Sequence, residues 1–396
     1  VHFSVVTRQA EPLIPIGHEI AQEQFRLPLE TEKDSYEASG KALGWKAENG
    51  KVVVSSSNVY FELDKATGMV TSYKVNGTEF FDKAFGVQPN FWRAPNDNDY
   101  GNSNPKRLQI WKESSRDFKV SDTAVREEGE TVLMSVTYDL PAGNQYLITY
   151  RIYRDGVVNV NVKFTQTDRE AEKTEVLEDT NLATFTPGKK VKKKDVLEVP
   201  RIGVRFRIPH VMNRVEYFGR GPVENYVDRN AGSMVGRYKT SVEEMYVNYV
   251  RPQENGHRTD TRWVSFTNTV GRGLLVLAEK TIGFNALQNT VEDFDSEESS
   301  HPYQWRNRSP KEVAGKNEAE AKNVLRRMTH VNDITPRDFV EVCIDMKQQG
   351  VAGYDSWGAK VQPGYTIPAN RDYVWGFTLI PIKNVGDVNK SLRYTY

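Results

Sequence analysis

The sequence predicts an all-β protein whose main body is one large antiparallel sandwich, and three features of the chain lead to that expectation. Short segments alternate apolar and polar side chains along most of its length, the period-two signature of strands with one buried face. Turn-forming residues punctuate them, as at Asp64-Lys-Ala-Thr-Gly68, Asn76-Gly77 and Asp155-Gly156. Helical patterning is scarce and strands do not alternate with helices, so a sheet of this width needs a second sheet over its apolar face.

Residues 2–6 read as a short apolar strand and residues 19–27 as a partly alternating one. Two strands are marginal alone in water, so residues 1–29 are expected to pack on the rest or to close a sandwich whose other strands lie elsewhere. The chain starts without Met and directly in a strand pattern, which reads as part of a longer protein. Residues 30–51 turn to Glu, Lys, Ser, Gly and Ala and read as a linker. The sandwich is expected to span residues 52–383. Residues 58–63 and 69–75 form a hairpin, 131–140, 144–153 and 157–164 a meander, and Ile202-Gly-Val-Arg-Phe-Arg-Ile208 alternates cleanly. Residues 215–218, 262–266, 274–278, 339–346 and 373–380 continue the series. The clearest helix pattern, residues 317–327, lies in a polar stretch that reads as an insertion, and residues 384–396 read as a tail.

Composition narrows the function. Basic and acidic residues balance at 53 each, which excludes the electrostatic footprint of a nucleic-acid binder or of a protein held on an anionic membrane. The single cysteine, Cys343, excludes an intrachain disulfide and a cysteine-ligated metal cluster; between Val342 and Ile344 it reads as a core residue. Aromatic residues make up 11% of the chain, which suits rings stacked on sugars or packed between wide sheets.

Four polar stretches have neither a helical nor a strand period. Ordering such segments costs about 1–2 kcal/mol of backbone entropy per residue, so they are expected to be either packed corners or functional surfaces. Residues 91–101 contain Arg93, Asp97, Asn98 and Asp99; the three oxygen-bearing side chains lack the glycine and distal glutamate of a calcium loop, and turn capping is the expectation, with no metal site. Residues 219–229 carry Glu224 and Asn225, and residues 251–263 carry Glu254, His257 and Asp260, an acid and base set if their side chains converge. Gly353-Tyr-Asp-Ser-Trp-Gly358 sets Trp357 between glycines, where an indole face can stack on a sugar or lie under the loop. The acidic run at 292–298 reads as a solvated loop. No serine-nucleophile elbow or phosphate-cradling glycine loop occurs.

Trp92-Arg-Ala-Pro-Asn-Asp-Asn-Asp-Tyr-Gly101, Gly219-Arg-Gly-Pro-Val-Glu-Asn-Tyr-Val-Asp-Arg229 with Pro252-Gln-Glu-Asn-Gly-His-Arg-Thr-Asp-Thr-Arg-Trp263, and residues 353–358 closely resemble the C-terminal small-chain domain of bacterial β-galactosidases of glycoside hydrolase family two. The likeness covers residues 52–382. It implies a β-supersandwich similar to galactose mutarotase, and makes residues 1–29 the closing strands of a preceding immunoglobulin-like domain. The resemblance further implies a retaining enzyme that hydrolyses terminal β-D-galactosides such as lactose. In that family the two catalytic glutamates lie on a (β/α)₈ barrel, about 5–5.5 Å apart. No such barrel pattern is present here, so no catalytic residue and no cofactor is expected in this chain, and any divalent cation of the parent enzyme belongs to other parts of it.

By the same resemblance Trp357 stacks on the sugar in the leaving-group subsite, with Asp355 a weaker contact, while Arg93, Asn98, Glu224, Asn225, Glu254 and His257 are loop scaffolding. The indole is expected to be at least partly exposed. The expected partners are a galactoside or other small saccharide and the barrel itself, in a bacterial protein of the cytoplasm or periplasm. Residues 303–328 depart from the better-known members. Two other readings compete: an aldose epimerase with His257 or His210 as acid and Glu254 as base, and a carbohydrate-binding module with Trp357, Trp263 or Trp92 as platforms.

Overall fold

In the computed structural model, which describes residues 1–29, 31–140, 143–166, 198–295, 330–355, 358–384 and 386–396, the strands assemble into two large sheets, a short two-stranded parallel pair and a peripheral hairpin. The hairpin is β1 (His2–Val6) with β2 (Glu19–Gln24), and it leaves Phe3, Val5 and Ile20 exposed. Its side-chain tie to the body is Gln24, whose amide donates to the Val235 carbonyl at 2.8 Å and accepts from the Val235 N–H at 2.7 Å. Among the described residues the hairpin pairs with no third strand, so nothing here defines an immunoglobulin-like domain.

The smaller sheet is an antiparallel meander, β4 (Gly44–Glu48), β5 (Lys51–Ser55), β6 (Val59–Asp64), β7 (Val70–Val75) and β8 (Thr78–Glu79). The larger has twelve strands. Its main arm starts with β10 (Lys119–Glu128), β11 (Thr131–Asp139), β12 (Gln145–Ile152) and β13 (Val158–Thr165), then passes to β20 (Tyr373–Ile382). The pivot is the long β18 (Gly273–Leu287). Its first half pairs with β20 and with β17 (Arg258–Thr267), which leads on to β15 (Arg214–Gly221) and β16 (Met234–Ser241). Its second half, from Gly283, pairs with β19 (Phe339–Gln348), which carries β14 (Arg201–Pro209) and β9 (Gln88–Asn90). The exposed Glu279, Lys280 and Thr281 mark where β18 changes partner and the sheet divides.

Buried tyrosines tie the layers together. A phenol that loses water needs another hydrogen-bond partner, and each of three finds a backbone carbonyl on a facing element. Tyr73 donates to Gly156 O at 2.6 Å, Tyr138 to Gly68 O at 2.7 Å and Tyr146 to Gly203 O at 2.9 Å. Phe61 against Tyr150, Phe81 against Phe206 and Phe91 against Tyr146 fill the space between them. Gly68 is required at its position: its φ is +68°, and a Cβ there would lie 2.6 Å from the Tyr138 ring.

The structure departs from the sequence reading in several places. The stretch read as a linker contains β3 (Asp34–Ser35) and β4, and the stretch read as a tail contains helix Gly386–Ser391 and β21 (Tyr394–Thr395), which pairs in parallel with β3. Tyr36 there contacts the rings of Tyr153, Tyr394 and Tyr396, and its hydroxyl bonds to the Asp155 carboxylate. Isolated aromatic anchors outweigh the polar average of both stretches. Three strands without a clear alternating signal, β4, β10 and β16, are all edge strands, whose charged residues suppress unwanted pairing and hide the alternation. The acidic run at 292 is no solvated loop in its described part, which forms helix Val291–Phe294 with Asp293 and Asp295 buried. Arg337 pairs with Asp293, and Lys112 with Asp295. The helix pattern at 317–327 and the stretch 303–328 lie outside the described residues.

Candidate functional site

Two of the polar stretches, those at 91–101 and 219–229, reach the chain on either side of residues 356 and 357. Asn96 begins the first of them by capping α1 (Asp97–Gly101) through reciprocal bonds: its side chain accepts from Asp99 N at 2.9 Å, and the Asp99 carboxylate accepts from Asn96 N at 3.0 Å. The same carboxylate accepts from Asn104 at 2.8 Å and from both terminal nitrogens of Arg93. Arg93 and Asp99 are each only 2% exposed, so this fork-to-fork pair works with little solvent screening. Desolvation pulls the Arg93 pKa down, but Asp99, Glu254 and Tyr226 more than offset it, and the guanidinium ends above its ordinary value.

From this base the stretch reaches the 350s through backbone carbonyls. Arg93 donates to Gly350 O at 3.3 Å, Asn96 and Asn98 each to Val351 O at 3.2 Å, and Asn102 to Ala359 O at 3.3 Å. Gly358 packs directly on the backbone at Gly101: a Cβ on Gly358 would sit 2.4 Å from the Gly101 carbonyl carbon. From the opposite side Asp228 accepts from the N–H groups of Val351 at 3.0 Å and Ala352 at 2.9 Å. Within the segment Asp355 accepts from Ala359 N at 3.1 Å. Trp357 itself lies outside the described residues.

Asn225 and Glu224 fasten the second and third stretches to one another. Asn225 is fully buried; its side chain donates to the carbonyls of Arg220 and Val223 and accepts from both Thr259 N and its hydroxyl. Glu224 accepts from Gly256 N at 2.8 Å, from Tyr226 at 3.3 Å and from Tyr249. Asn225 is thus spent largely on backbone, whereas Glu224 joins the Gly256 N–H to the hydroxyls of Tyr226 and Tyr249.

Beneath the clamp lies a buried charge cluster. Arg201, with no exposure, donates to Glu254 at 2.9 Å, Gln348 at 2.6 Å and Trp92 O at 3.2 Å, and its Nε is 3.2 Å from Asp345. His257 lies with Nδ1 3.8 Å from Asp345 and its ring stacked on Tyr226. Burial raises the Glu254 carboxyl against the opposing pull of Arg201 and Arg93, and raises Asp345 to about 7 against Arg201. Both Asp345 oxygens are without a hydrogen bond among the described residues, which is why desolvation wins there. Burial, with Arg201, Arg258 and Arg93 nearby, holds His257 well below its ordinary value, so its imidazole is neutral at pH 7.

That arrangement bears on the competing readings. Glu254 and His257 are 3% and 1% exposed and have Arg201 and Asp345 respectively as their charged neighbours, so neither presents its group to a ligand. Asp260 is elsewhere, paired with Arg220 at 2.6 Å. His210 is exposed on the turn between β14 and β15, beside Glu243 and Asp338. Trp92 and Trp263 are 4% and 3% exposed, and the Trp92 indole N–H bonds to Asp295 at 2.7 Å, so neither presents a face to a ligand. A surface cavity of about 630 Å³ adjoins the clamp, lined among others by Glu224, Asp228, Arg229, Tyr249 and Tyr365.

Sequence reasoning did not single out Asp228, Arg201 or Asp345. Asp228 stands inside a stretch chosen for its neighbours. The other two had a readable signal: Arg201, Arg205 and Arg207 alternate along β14 while Glu341 and Asp345 alternate along β19, and the register sets Arg207 opposite Glu341 and Gly203 opposite Asp345.

The described residues thus form an all-β domain in which residues 93–102 and Asp228 hold the backbone of residues 350–352 and 359. The family model described as beta galactosidase small chain matches residues 55–379, and the chain belongs to that family. A β-galactosidase of Priestia megaterium is 33% identical over 368 residues, covering 92% of this chain and 30% of its own length. One from Streptococcus thermophilus is 27% identical over 95% of this chain and 31% of its own, and one from Kluyveromyces lactis 28% identical over 73% and 26%. The chain thus spans about a third of the length of these curated relatives. Among solved structures, a GalM/aldose epimerase homologue from C. elegans aligns at 9% identity with a TM-score of 0.40, covering 86% of this chain and 99% of its own. A galactose mutarotase-like protein from Lactobacillus casei aligns at 10% identity with a TM-score of 0.38, covering 84% and 100%.

Proposed function

We infer that this chain is the small-chain domain of a retaining β-galactosidase acting on terminal β-D-galactosides such as lactose, and that it shapes the aglycone side of an active site whose catalytic carboxylates lie outside it. One observation carries the reading. The side chains of Arg93, Asn96, Asn98, Asn102 and Asp228, buried or half-buried, each bond to the backbone of residues 350–352 and 359, so a polar frame holds the chain on either side of Trp357. A frame of this kind suits a contact that must be placed but does no proton transfer.

Retaining hydrolysis needs two carboxyl groups about 5–5.5 Å apart on either side of a glycosidic bond, one able to give and take a proton. Glu254 and Asp345 do not meet that need, being enclosed around Arg201. The contribution of this domain is therefore to binding: Trp357 stacks its apolar face on the leaving sugar, and Asp355, which closes its own turn onto Ala359, is the weaker contact. On this reading the ligands of any divalent cation of the parent enzyme lie outside this chain; Asp99, for its part, is already used by Arg93, Asn96 and Asn104.

The test is Trp357→Ala in the full-length enzyme. An apolar contact with no charge to move acts on affinity, so acceptor binding of free glucose should weaken by about five- to thirty-fold, the equivalent of about 1–2 kcal/mol for one aromatic contact. Hydrolysis of a nitrophenyl galactoside should change little. Unchanged acceptor affinity would refute the aglycone role.

A further inference from the structure

The surface cavity of about 630 Å³ lies within the size range of small-molecule sites, and most of its wall comes from one stretch, residues 223–233. That wall is held in shape by the protein's own bonds. Arg229 N donates to Tyr226 O at 2.7 Å to close a turn, Arg220 donates to the carbonyls of Asn230 at 3.2 Å and Ser233 at 2.8 Å, and the Asn230 amide donates to the Thr259 hydroxyl at 3.2 Å. Two aromatic residues from other parts of the chain join the lining. Tyr249 bonds through its hydroxyl to Glu224, and Tyr365 is fixed at its backbone, its N–H on Gln362 O at 2.9 Å and its carbonyl on Gly350 N at 3.0 Å. Walls set before binding reduce the ordering cost that a ligand must offset.

The charged groups of the lining select the chemistry. The Asp228 oxygens are taken by Val351 N and Ala352 N, and Glu224 accepts from Gly256 N, Tyr226 and Tyr249. Arg229 differs from both. Its side chain is 59% exposed and contacts Glu224 at 3.4 Å and Tyr249, and a guanidinium has five N–H donors, so donors remain for a ligand. Two carboxylates against one guanidinium give an anion no net attraction, while the guanidinium repels a cation. A neutral ligand is favoured, with hydroxyls to accept from Arg229 and an apolar face for the half-exposed ring of Tyr365. A pyranose has both.

We propose that this cavity is a saccharide site for a neutral pyranose, with Arg229 donating to its hydroxyls and the Tyr365 ring carrying its C–H face. Neither residue has a part in the aglycone role given above, so the two can fail separately.

The experiment is saturation-transfer NMR on the 396-residue chain, titrated with methyl β-D-galactoside, methyl β-D-glucoside and, as an anionic counterpart, methyl β-D-glucuronide. The neutral glycosides should bind saturably with a dissociation constant on the order of 1 mM, as suits an open and partly polar site, and the glucuronide at least about threefold more weakly. Transfer should be strongest to the protons of one ring face. Arg229→Gln and Tyr365→Ala should each weaken binding by about fivefold, whereas Tyr365→Phe, which keeps the ring, should stay within about twofold of the parent. Thermal unfolding checks folding, and Arg229→Lys, which keeps the charge with fewer donors and should bind between the parent and Arg229→Gln, serves where Gln disturbs it. The same comparison is made in chains that also carry Trp357→Ala, so that sugar held at that indole drops out, and the effect of Arg229→Gln should persist there.

No saturable transfer from either neutral glycoside would overturn the proposal, as would a glucuronide that binds more tightly than the neutral sugars. Binding that survives both Arg229→Gln and Tyr365→Ala would overturn it too. If Trp357→Ala alone abolishes binding and Arg229→Gln does not lower it, the sugar sits at residue 357, the cavity site is wrong and the aglycone role stands.

Discussion

Replacing Arg201 with methionine asks what holds the buried charge cluster together. The guanidinium has no solvent exposure and makes three hydrogen bonds, to Gln348 at 2.6 Å, Glu254 at 2.9 Å and Trp92 O at 3.2 Å, with Asp345 at 3.2 Å from its Nε. Methionine matches the stem but leaves Glu254 and Asp345 without their common counter-charge, and breaking a buried pair from one side costs about 3–5 kcal/mol. The loss should depend on pH in a defined direction. Burial already raises both carboxyls, and Arg201 is the main force opposing it. Without Arg201 their folded pKa values climb further above the unfolded ones, so the folded state binds protons that the unfolded state has released, and stability falls as pH rises through that window. Urea unfolding of the chain, followed by tryptophan fluorescence at pH 7.5 and 5.5, should show a larger deficit at 7.5. Adding Glu254→Gln should recover part of it, because one stranded charge is removed. A deficit below about 1 kcal/mol that is equal at both pH values would refute the argument that this cluster depends on the arginine's charge.

Three further outcomes are expected. Gly68→Ala combines a left-handed φ of +68° with a Cβ 2.6 Å from the Tyr138 ring, so the cost should be about 2–4 kcal/mol, read as a lowered thermal midpoint; a neutral result would mean the turn relaxes freely. Glu62, which accepts from Lys51, Tyr60 and Thr71, has its pKa lowered to about 2, so it stabilises the fold above its unfolded value and that stability is lost as pH falls toward 2; Glu62→Gln should flatten the acid limb of the stability curve, and an unchanged limb would contradict the shift. The isolated chain should release no nitrophenol from a nitrophenyl β-galactoside and should not speed the mutarotation of fresh α-galactose; turnover that co-purifies with it, or acceleration abolished by changing His257, would favour catalysis within the domain.

Interior strands were legible because each has neighbours on both sides and a face in the core: β12, with Tyr146, Ile148, Tyr150 and Ile152 buried at alternate positions, shows its period in plain sequence. Edge strands were not. β10 has one hydrogen-bonded neighbour and carries Lys119, Asp122, Arg126, Glu127 and Glu128, so its period is diluted by the charges that keep the edge from pairing. Short helices were missed for a different reason: α1 is five residues long and depends on the Asn96 cap and the Arg93 fork, neither of which has a helical period. The site shows the same division. Residue types crowded into aperiodic stretches pointed to Arg93, Asn98, Glu224, Asn225, Glu254 and His257, whereas Asp228 and the Arg201 to Asp345 pairing depend on what lies across space, and only strand register brings the latter together.

If the proposed aglycone role holds, the clamp also explains how such a segment is fixed without being sealed. Side-chain amides that donate to carbonyls, and a carboxylate that accepts from N–H groups, act on main-chain atoms every residue possesses. Val351 at the entry to residue 357 is buried, but Tyr354, 62% exposed, follows it without being packed away. Had the segment been held by burying its side chains, their surface would have been lost to a ligand. Held by its backbone, it can be placed by residues far away in sequence while its side chains vary with the acceptor. On this argument substitutions among Arg93, Asn96, Asn102 and Asp228 should move acceptor use together, and substitution of Tyr354, whose hydroxyl donates to Lys360 O at 3.1 Å, should alter it far less.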